Sequence, residues 1–411
     1  MLPLGAVKGV PAKGTALFSR RTLSLHMLPV ASLTTQSPAS LREVSQQAKV
    51  TAMLPTDVKP VRIALVGAGI FMKNAHIPGI ARLNQDTPAE QPPFEVVAVY
   101  SRTESSAKGA VEAVEAAMPA PSKVELFTDL DAMLARSDIE AVDIALPAQI
   151  ISEAIQKSLT AGKHVLSEKP IAAQSSAARE LISLAASKPD LVWMVAENFR
   201  YETVFQRAAE LVRSGKIGRP LVAQWSLHVP VGPSMPYYNT AWRGKGQGLR
   251  GGWFLDMGVH HIATLRALLG DVAEVSAHST SFKDDLQPPD TVAATLRFQS
   301  GALCNYSVCC AGAAGWPDRL SVVGDSGSLQ VSRKEKQIFV AENSAGGAPG
   351  KLEAVQVDAF DGVDRELVAF VRSIRKNESN LNSPEEGLKD LAVIEAILQS
   401  AETGQRVTLR K

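Results

Sequence analysis

The run Val61-Arg62-Ile63-Ala64-Leu65-Val66 ends at Gly67-Ala68-Gly69 and opens a helical pattern through about Leu83. No other stretch constrains the fold as much. A short apolar run bounded by glycine reads as a buried strand. Gly67 allows the tight turn out of the strand, and Gly69 lets the backbone approach a pyrophosphate, which then meets the helix amino end. Ile70 and Phe71 begin that helix and are placed at the same ligand. The usual third glycine is absent; Met72 stands there. The turn alone could be a plain strand-to-helix connection, but its setting points to dinucleotide binding.

The rhythm that follows agrees. Strands are expected at 94–100, 141–146, 164–167 and 192–195, with helices at 104–117, 130–136, 150–161 and 175–186 and a proline-rich loop over 84–93. Such alternation gives a parallel sheet covered on both faces, with ligands at the carboxyl ends of its strands. After about Arg200 the pattern changes. Helices at 202–214 and 251–269 precede strands at 275–282, 291–298, 302–310, 320–323 and 328–331 with no helix between them, and helices return at 364–374 and 384–401. The expected fold is α/β: an N-terminal Rossmann doubly wound parallel sheet over 58–200, then a C-terminal α+β domain over 201–411 with a large open, mostly antiparallel sheet. The open sheet offers a surface for a homo-oligomer.

With 411 residues, the chain can bury two cores. Its 43 Lys and Arg nearly cancel 42 Asp and Glu, which gives no ground for a nucleic-acid partner. No apolar run is long enough for a membrane span. The three cysteines, Cys304, Cys309 and Cys310, lie in a strand-like run without a Cys-x-x-Cys pair. They read as core packing, so neither a metal nor a disulfide framework is expected. Residues 1–55 carry Lys8, Lys13, Arg20, Arg21, Arg42 and Lys49, with no acidic residue before Glu43. That is the composition of a transit peptide to a mitochondrion or plastid. A disordered extension, or a chain starting at Met27 or Met53, reads the same way; without targeting, the protein is cytoplasmic.

Three clusters carry chemistry. At the end of the second strand stands Tyr100-Ser101-Arg102-Thr103, where NAD enzymes usually place a carboxylate for the ribose. Arg102 can pair with a 2′-phosphate, with Ser101 and Thr103 donating hydrogen bonds, so NADP is expected over NAD. A solvated arginine is the plain alternative. A later strand ends in Glu168-Lys169-Pro170, and Pro170 restricts Lys169 to an extended or turn conformation that aims its ammonium at the cleft. In Gly251-Gly252-Trp253-Phe254-Leu255-Asp256-Met257-Gly258-Val259-His260-His261, a helix puts Asp256 and His260 on one face. Ala263 and Ala267 continue that face without bulk; Ile262, Leu265 and Leu269 mark the buried one, and His261 turns toward it.

From about residue 60 onward, the order and spacing of these motifs resemble the glucose-fructose oxidoreductase/inositol dehydrogenase (Gfo/Idh/MocA) family. The resemblance implies catalytic roles for Lys169, Asp256 and His260, and places Glu168 near the nicotinamide ribose. It puts Asn198, in Asn198-Phe199-Arg200-Tyr201, on the segment between domains, and Trp242-Arg243 near the cofactor. Leu146 and Pro147 open the stretch where the family often reads Thr-Pro-Asn-x-x-His; here its histidine is Ile151. Ala263 replaces a frequent aspartate. The implied activity is that of an NAD(P)-dependent dehydrogenase acting on CH–OH groups, moving hydride between nicotinamide and a small polyol, sugar or diol. Histidine titrates near neutrality as a residue type, so His260 is the natural proton acceptor, with Lys169 the other candidate. Asp256 would orient the substrate and favour the imidazolium. The competing reading is a catalytically silent, NADP-responsive regulator, which has no chemical need for Lys, Asp and His together.

Overall fold

The structure, a computed structural model, describes residues 54, 59–88, 91–118, 123–243, 249–313, 318–343, 352–357 and 362–409. The transit-peptide reading of 1–55 lies outside these residues, Leu54 apart.

The first layer runs β1 (Val61–Val66), a π-helical turn (Met72–His76), α1 (Ile77–Gln85), β2 (Phe94–Tyr100), α2 (Glu104–Ala117), β3 (Glu125–Phe127), α3 (Leu130–Leu134), β4 (Ala141–Ile144), α4 (Ala148–Thr160), β5 (His164–Glu168), α5 (Ser175–Ala186) and β6 (Trp193–Ala196). The strands pair in parallel in the order β3-β2-β1-β4-β5-β6. Strand order reverses at β1, so a crevice opens at the carboxyl ends of β1 and β4, beside Gly67. Ile63, Leu65, Val142 and Ile144 are wholly buried, as a sheet covered on both faces requires. β3 escaped the sequence reading because three residues, none of them fully buried, carry no period.

The second layer begins at a 3₁₀ turn (Asn198–Arg200) and α6 (Thr203–Arg213). It continues through β7 (Pro220–His228), a second 3₁₀ turn (Ala241–Arg243), α7 (Gly252–Leu269), β8 (Val272–Thr280), β9 (Thr291–Phe298) and β10 (Leu303–Cys309). β11 (Leu320–Gly324), β12 (Gly327–Ser332), β13 (Gln337–Glu342), β14 (Leu352–Gln356), α8 (Gly362–Lys376), α9 (Pro384–Thr403) and β15 (Val407–Thr408) complete it. The sheet order is β14-β13-β12-β11-β7-β10-β9-β8-β15, with β7 and β10 parallel and the other pairs antiparallel. β7 was missed although Ala223, Trp225 and Leu227 alternate as its buried face. The strand expected over 275–282 begins at Val272 and ends at Thr280, because β9 pairs with it from Val272 onward.

Two features depart from the expected packing. α7 is not half-solvated: Ala263, on the face assigned to the ligand, is wholly buried, as are Ile262 and Leu265. The second sheet covers one side of the helix, and α6, α9 and the 3₁₀ turn Asn198–Arg200 pack against the rest. Further, α8 leaves the second layer and packs into the first. Its Leu367, Phe370 and Val371 share a core with Met72, Ile77 and Ile80. Burying Phe370 contributes on the order of 1.5–3 kcal/mol. At the same contact, a Cβ on Gly79 would lie 3.0 Å from side-chain atoms of Asp364 and Leu367, so only a small residue lets α1 approach α8.

Candidate active site

At the carboxyl end of β1, Gly67 has φ +106°, and a Cβ there would run into the Ala145 carbonyl oxygen. The turn therefore depends on glycine for its shape. A Cβ on Gly69 would meet nothing within 4 Å, so its backbone borders open space. Gly67 N–H donates to the Tyr100 carbonyl at 2.9 Å, which brings Ser101 and Arg102 to the same edge. Arg102 is exposed and forms no ion pair among the described residues. Thr103 also has a structural role. It caps α2, accepting from Ser106 N–H at 3.3 Å and donating to Ser106 Oγ at 2.8 Å. A helix amino end needs such a partner. Pro147 is the N-cap residue of α4, and Ile151, in the position of the family histidine, is wholly buried.

The second cluster forms where β5 meets α7. Gly251 and Gly252 both have positive φ, +86° and +45°, and a Cβ on Gly252 would lie 2.7 Å from Gln287 Cβ. This tight entry sets the start of the helix, and Asp256 lies one turn in. Lys169 Nζ donates to Asp256 Oδ1 and to its carbonyl oxygen, each at 2.9 Å. Arg243 Nε donates to Asp256 Oδ2 at 3.0 Å, with its guanidinium 3.9 Å over the Trp242 ring. Burial pushes the Asp256 carboxyl upward, but Lys169 and Arg243 outweigh it and hold it well below the usual carboxylate range. The expected Lys169, Asp256, Trp242 and Arg243 thus come together.

His260 lies one turn beyond Asp256 yet has a different partner. Its Nδ1 is 2.6 Å from Oε1 of Glu197, the residue after β6. Phe199 stacks on its ring at 4.4 Å and 16°. Asp256 was expected to favour the imidazolium; its oxygens are instead taken by Lys169 and Arg243, and Glu197 fills that place. Burial opposes the Glu197 charge, while the His260 ring, Arg200 and Lys169 leave its carboxyl below its ordinary range. Asn198 sits in the same 3₁₀ turn as Phe199. His261 turns away, as expected: its Nδ1 lies 2.8 Å from the Tyr306 hydroxyl, and burial lowers its pKa to about 3, so it stays neutral.

Glu168 is buried behind this cluster. Its Oε1 is 3.0 Å from His76 Nε2, and its Oε2 accepts from Lys169 N–H at 3.2 Å. Glu197, Phe199, His76 and Asp143 were not found by sequence reasoning. Glu197 did carry a signal, since it is an acidic residue at the carboxyl end of a parallel strand, as Glu168 is. His76 and Asp143 carried none: one lies inside a helical pattern and the other inside an apolar strand.

Comparison with known proteins identifies the two domains. Residues 61–196 match the model of an oxidoreductase family described as its NAD-binding Rossmann fold, and 209–409 match that family's C-terminal alpha/beta domain. Dehydrogenase FPY6 of Fusarium mangiferae is 33% identical over 360 residues, 83% of this chain and 96% of that one. Myo-inositol 2-dehydrogenase of Thermotoga maritima is 25% identical over 291 residues, 69% of this chain and 84% of that one. A solved oxidoreductase from Thermotoga maritima, 29% identical, superposes with TM-score 0.74 over 85% of this chain and 98% of that one. Levoglucosan dehydrogenase, solved with NADH and levoglucosan, shares the fold with TM-score 0.76 at 21% identity, over 86% of this chain and 100% of that one.

Proposed function

This chain belongs to the Gfo/Idh/MocA oxidoreductase family and is an NAD(P)-dependent dehydrogenase; on that premise we propose that it uses NADP to oxidise a secondary alcohol of a small polyol, sugar or diol, or to reduce the matching carbonyl. The observation that carries this reading is the Lys169–Asp256 contact, which joins the end of a Rossmann strand to the helix bearing His260. The residues present fit the cofactor. Gly67 shapes the turn, Gly69 leaves backbone open to a pyrophosphate, and Arg102 offers a cation at the second-strand position that selects the ribose. Similarity to a myo-inositol 2-dehydrogenase, a D-apiose dehydrogenase and a 1,5-anhydro-D-fructose reductase supports the substrate class.

When bound, the nicotinamide takes or gives the hydride. His260 takes the hydroxyl proton at Nε2, because Glu197 holds Nδ1 as the protonated nitrogen. Lys169 spends two of its three N–H donors on Asp256, which leaves one for the substrate oxygen, where it stabilises developing alkoxide charge. Asp256 acts by holding Lys169 and Arg243. This assigns the proton to His260 and the electrostatic work to Lys169. Val222, Leu303 and Val323 are neighbours on three strands of the second sheet, each more than two-fifths exposed, and are assigned to a homo-oligomer contact. The basic N-terminal segment is assigned to organelle import, tested by fusing it to a fluorescent reporter.

The functional test is a screen of polyols, sugars and diols with NADP, read by the absorbance of the reduced nicotinamide. His260→Ala should bind NADP as wild type does and lose roughly 10²–10⁴-fold in turnover. Wild-type turnover in His260→Ala overturns the assignment. A chain that binds NADP and turns over none of these compounds supports the regulator instead.

A further inference from the structure

His76 has no part in the proposed reaction, yet its surroundings tie it to the site. It ends the π-helical turn that follows Gly67 and Gly69, and its side chain is wholly buried. Single π turns inside helices often mark functional positions. Nδ1 lies 2.6 Å from Asp143 Oδ2 on β4, and Nε2 lies 3.0 Å from Glu168 Oε1 on β5. Two carboxylates at the two ring nitrogens call for a ring that donates at both. The path does not stop there. Glu168 Oε2 accepts from Lys169 N–H at 3.2 Å, and Lys169 Nζ reaches Asp256 at 2.9 Å. A continuous chain of polar contacts therefore runs from the dinucleotide turn, through the ends of two strands, to α7.

We infer that His76 is a positioning residue: clamped between Asp143 and Glu168, it couples seating of the dinucleotide on the Gly67–Gly69 turn to the placement of Lys169. The inference rests on the reading of Lys169 given above. A buried ion cluster that served stability alone would gain little over well-packed apolar side chains. This one ends on the backbone of Lys169. Burial works against a charge on the ring, but Asp143 and Glu168 outweigh it and raise the His76 pKa well above the usual imidazole range. The ionisable groups facing it are Asp143 from β4, Glu168 from β5 and Glu366 from α8. Charge on the ring, and with it the clamp, is thus kept through neutral pH.

The test compares full-length wild type with His76→Gln, which cannot donate in both directions, and with Asp143→Asn, which keeps the imidazole and serves if His76→Gln does not fold. Hydrogen exchange is measured with and without NADP, together with kcat and KM on a substrate from the screen. In wild type, NADP should protect residues 67–77 and also 164–171. In His76→Gln, protection of 67–77 should persist and that of 164–171 should vanish. Its kcat should fall by about 10- to 100-fold, the cost of a displaced catalytic group, with KM for NADP little changed. In Asp143→Asn the alkaline limb of the kcat profile should move to lower pH, because the ring has lost one of its two counter-charges. Retained protection at 164–171 with unchanged kcat in His76→Gln overturns the inference. So does an Asp143→Asn profile that is lowered uniformly. If wild type binds NADP but turns over nothing, the dehydrogenase reading fails, while the exchange pattern still decides the coupling.

Discussion

His260 Nδ1 stands 2.6 Å from Glu197 Oε1, across the junction between the last strand of the first sheet and the central helix of the second layer. A carboxylate at one nitrogen of an imidazole fixes the tautomer and leaves the other nitrogen to take a proton. Glu197 is 2% exposed, so solvent does little to weaken that bond. Glu197→Gln should fold, bind NADP normally and lose turnover, by up to about 10⁴-fold where the wrong tautomer is trapped. Steady-state kinetics beside NADP titration checks this. Undiminished kcat would show that Glu197 does not orient the base.

Arg102 is the residue proposed to choose between cofactors. We expect wild type to bind NADP more tightly than NAD, and Arg102→Ala to lose about 1.5–3 kcal/mol of NADP affinity while NAD affinity stays put. Because Arg102 is exposed, the loss should shrink at high salt. Equal dissociation constants for the two cofactors in wild type would refute the assignment.

The two glycines of the first turn should fail differently. At Gly67, φ is +106° and a Cβ would run into the Ala145 carbonyl, so Gly67→Ala should destabilise the protein by about 1–3 kcal/mol from backbone strain, and more from the clash. At Gly69 a Cβ has open space, so Gly69→Ala should melt with wild type and lose NADP affinity instead. Thermal melts and titrations of both variants separate the effects. A fall in melting temperature shared by both would contradict the geometry.

Glu366 makes stability depend on pH. It is wholly buried, and neither of its carboxyl oxygens has a hydrogen-bond partner among the described residues. Burial raises its pKa well above the usual range; Glu168, Glu197 and Asp143 add to this, and His76 opposes them. A pKa raised by folding means that the folded state holds the proton. The associated stability is fully present below the ordinary glutamate pKa and is lost as pH rises toward the folded value. Glu366→Gln cannot ionise, so its melting temperature should exceed that of wild type by a margin that widens with pH above the ordinary glutamate range. Parallel curves for the two proteins would rule this out.

Much of this was legible because the signals are local. The apolar run at β1, the same kind of run at Phe94–Tyr100 and the long helices repeat a period over enough residues to be read. Lys169, Asp256 and His260 stood out as candidates through proline, glycine and helical spacing. β3 and β15 are too short to show a period, and β13 and β14 were missed although β13 carries the apolar run Ile338-Phe339-Val340-Ala341. The capping role of Thr103 was hidden by a more inviting use for its hydroxyl.

By itself the sequence determined the strand–turn–helix at Gly67, the change from parallel to antiparallel rhythm near Arg200, and the candidates Lys169, Asp256 and His260. Each is set by residues within a turn or a strand of one another. Tertiary structure decided the pairings: Glu197 with His260, Asp256 with Lys169 and Arg243, His76 with Asp143 and Glu168. These partners lie 13 to 92 positions apart. No periodicity reports which of several buried carboxylates will face a given imidazole, because that choice follows from how the sheet and α7 pack around a shared, low-dielectric interior.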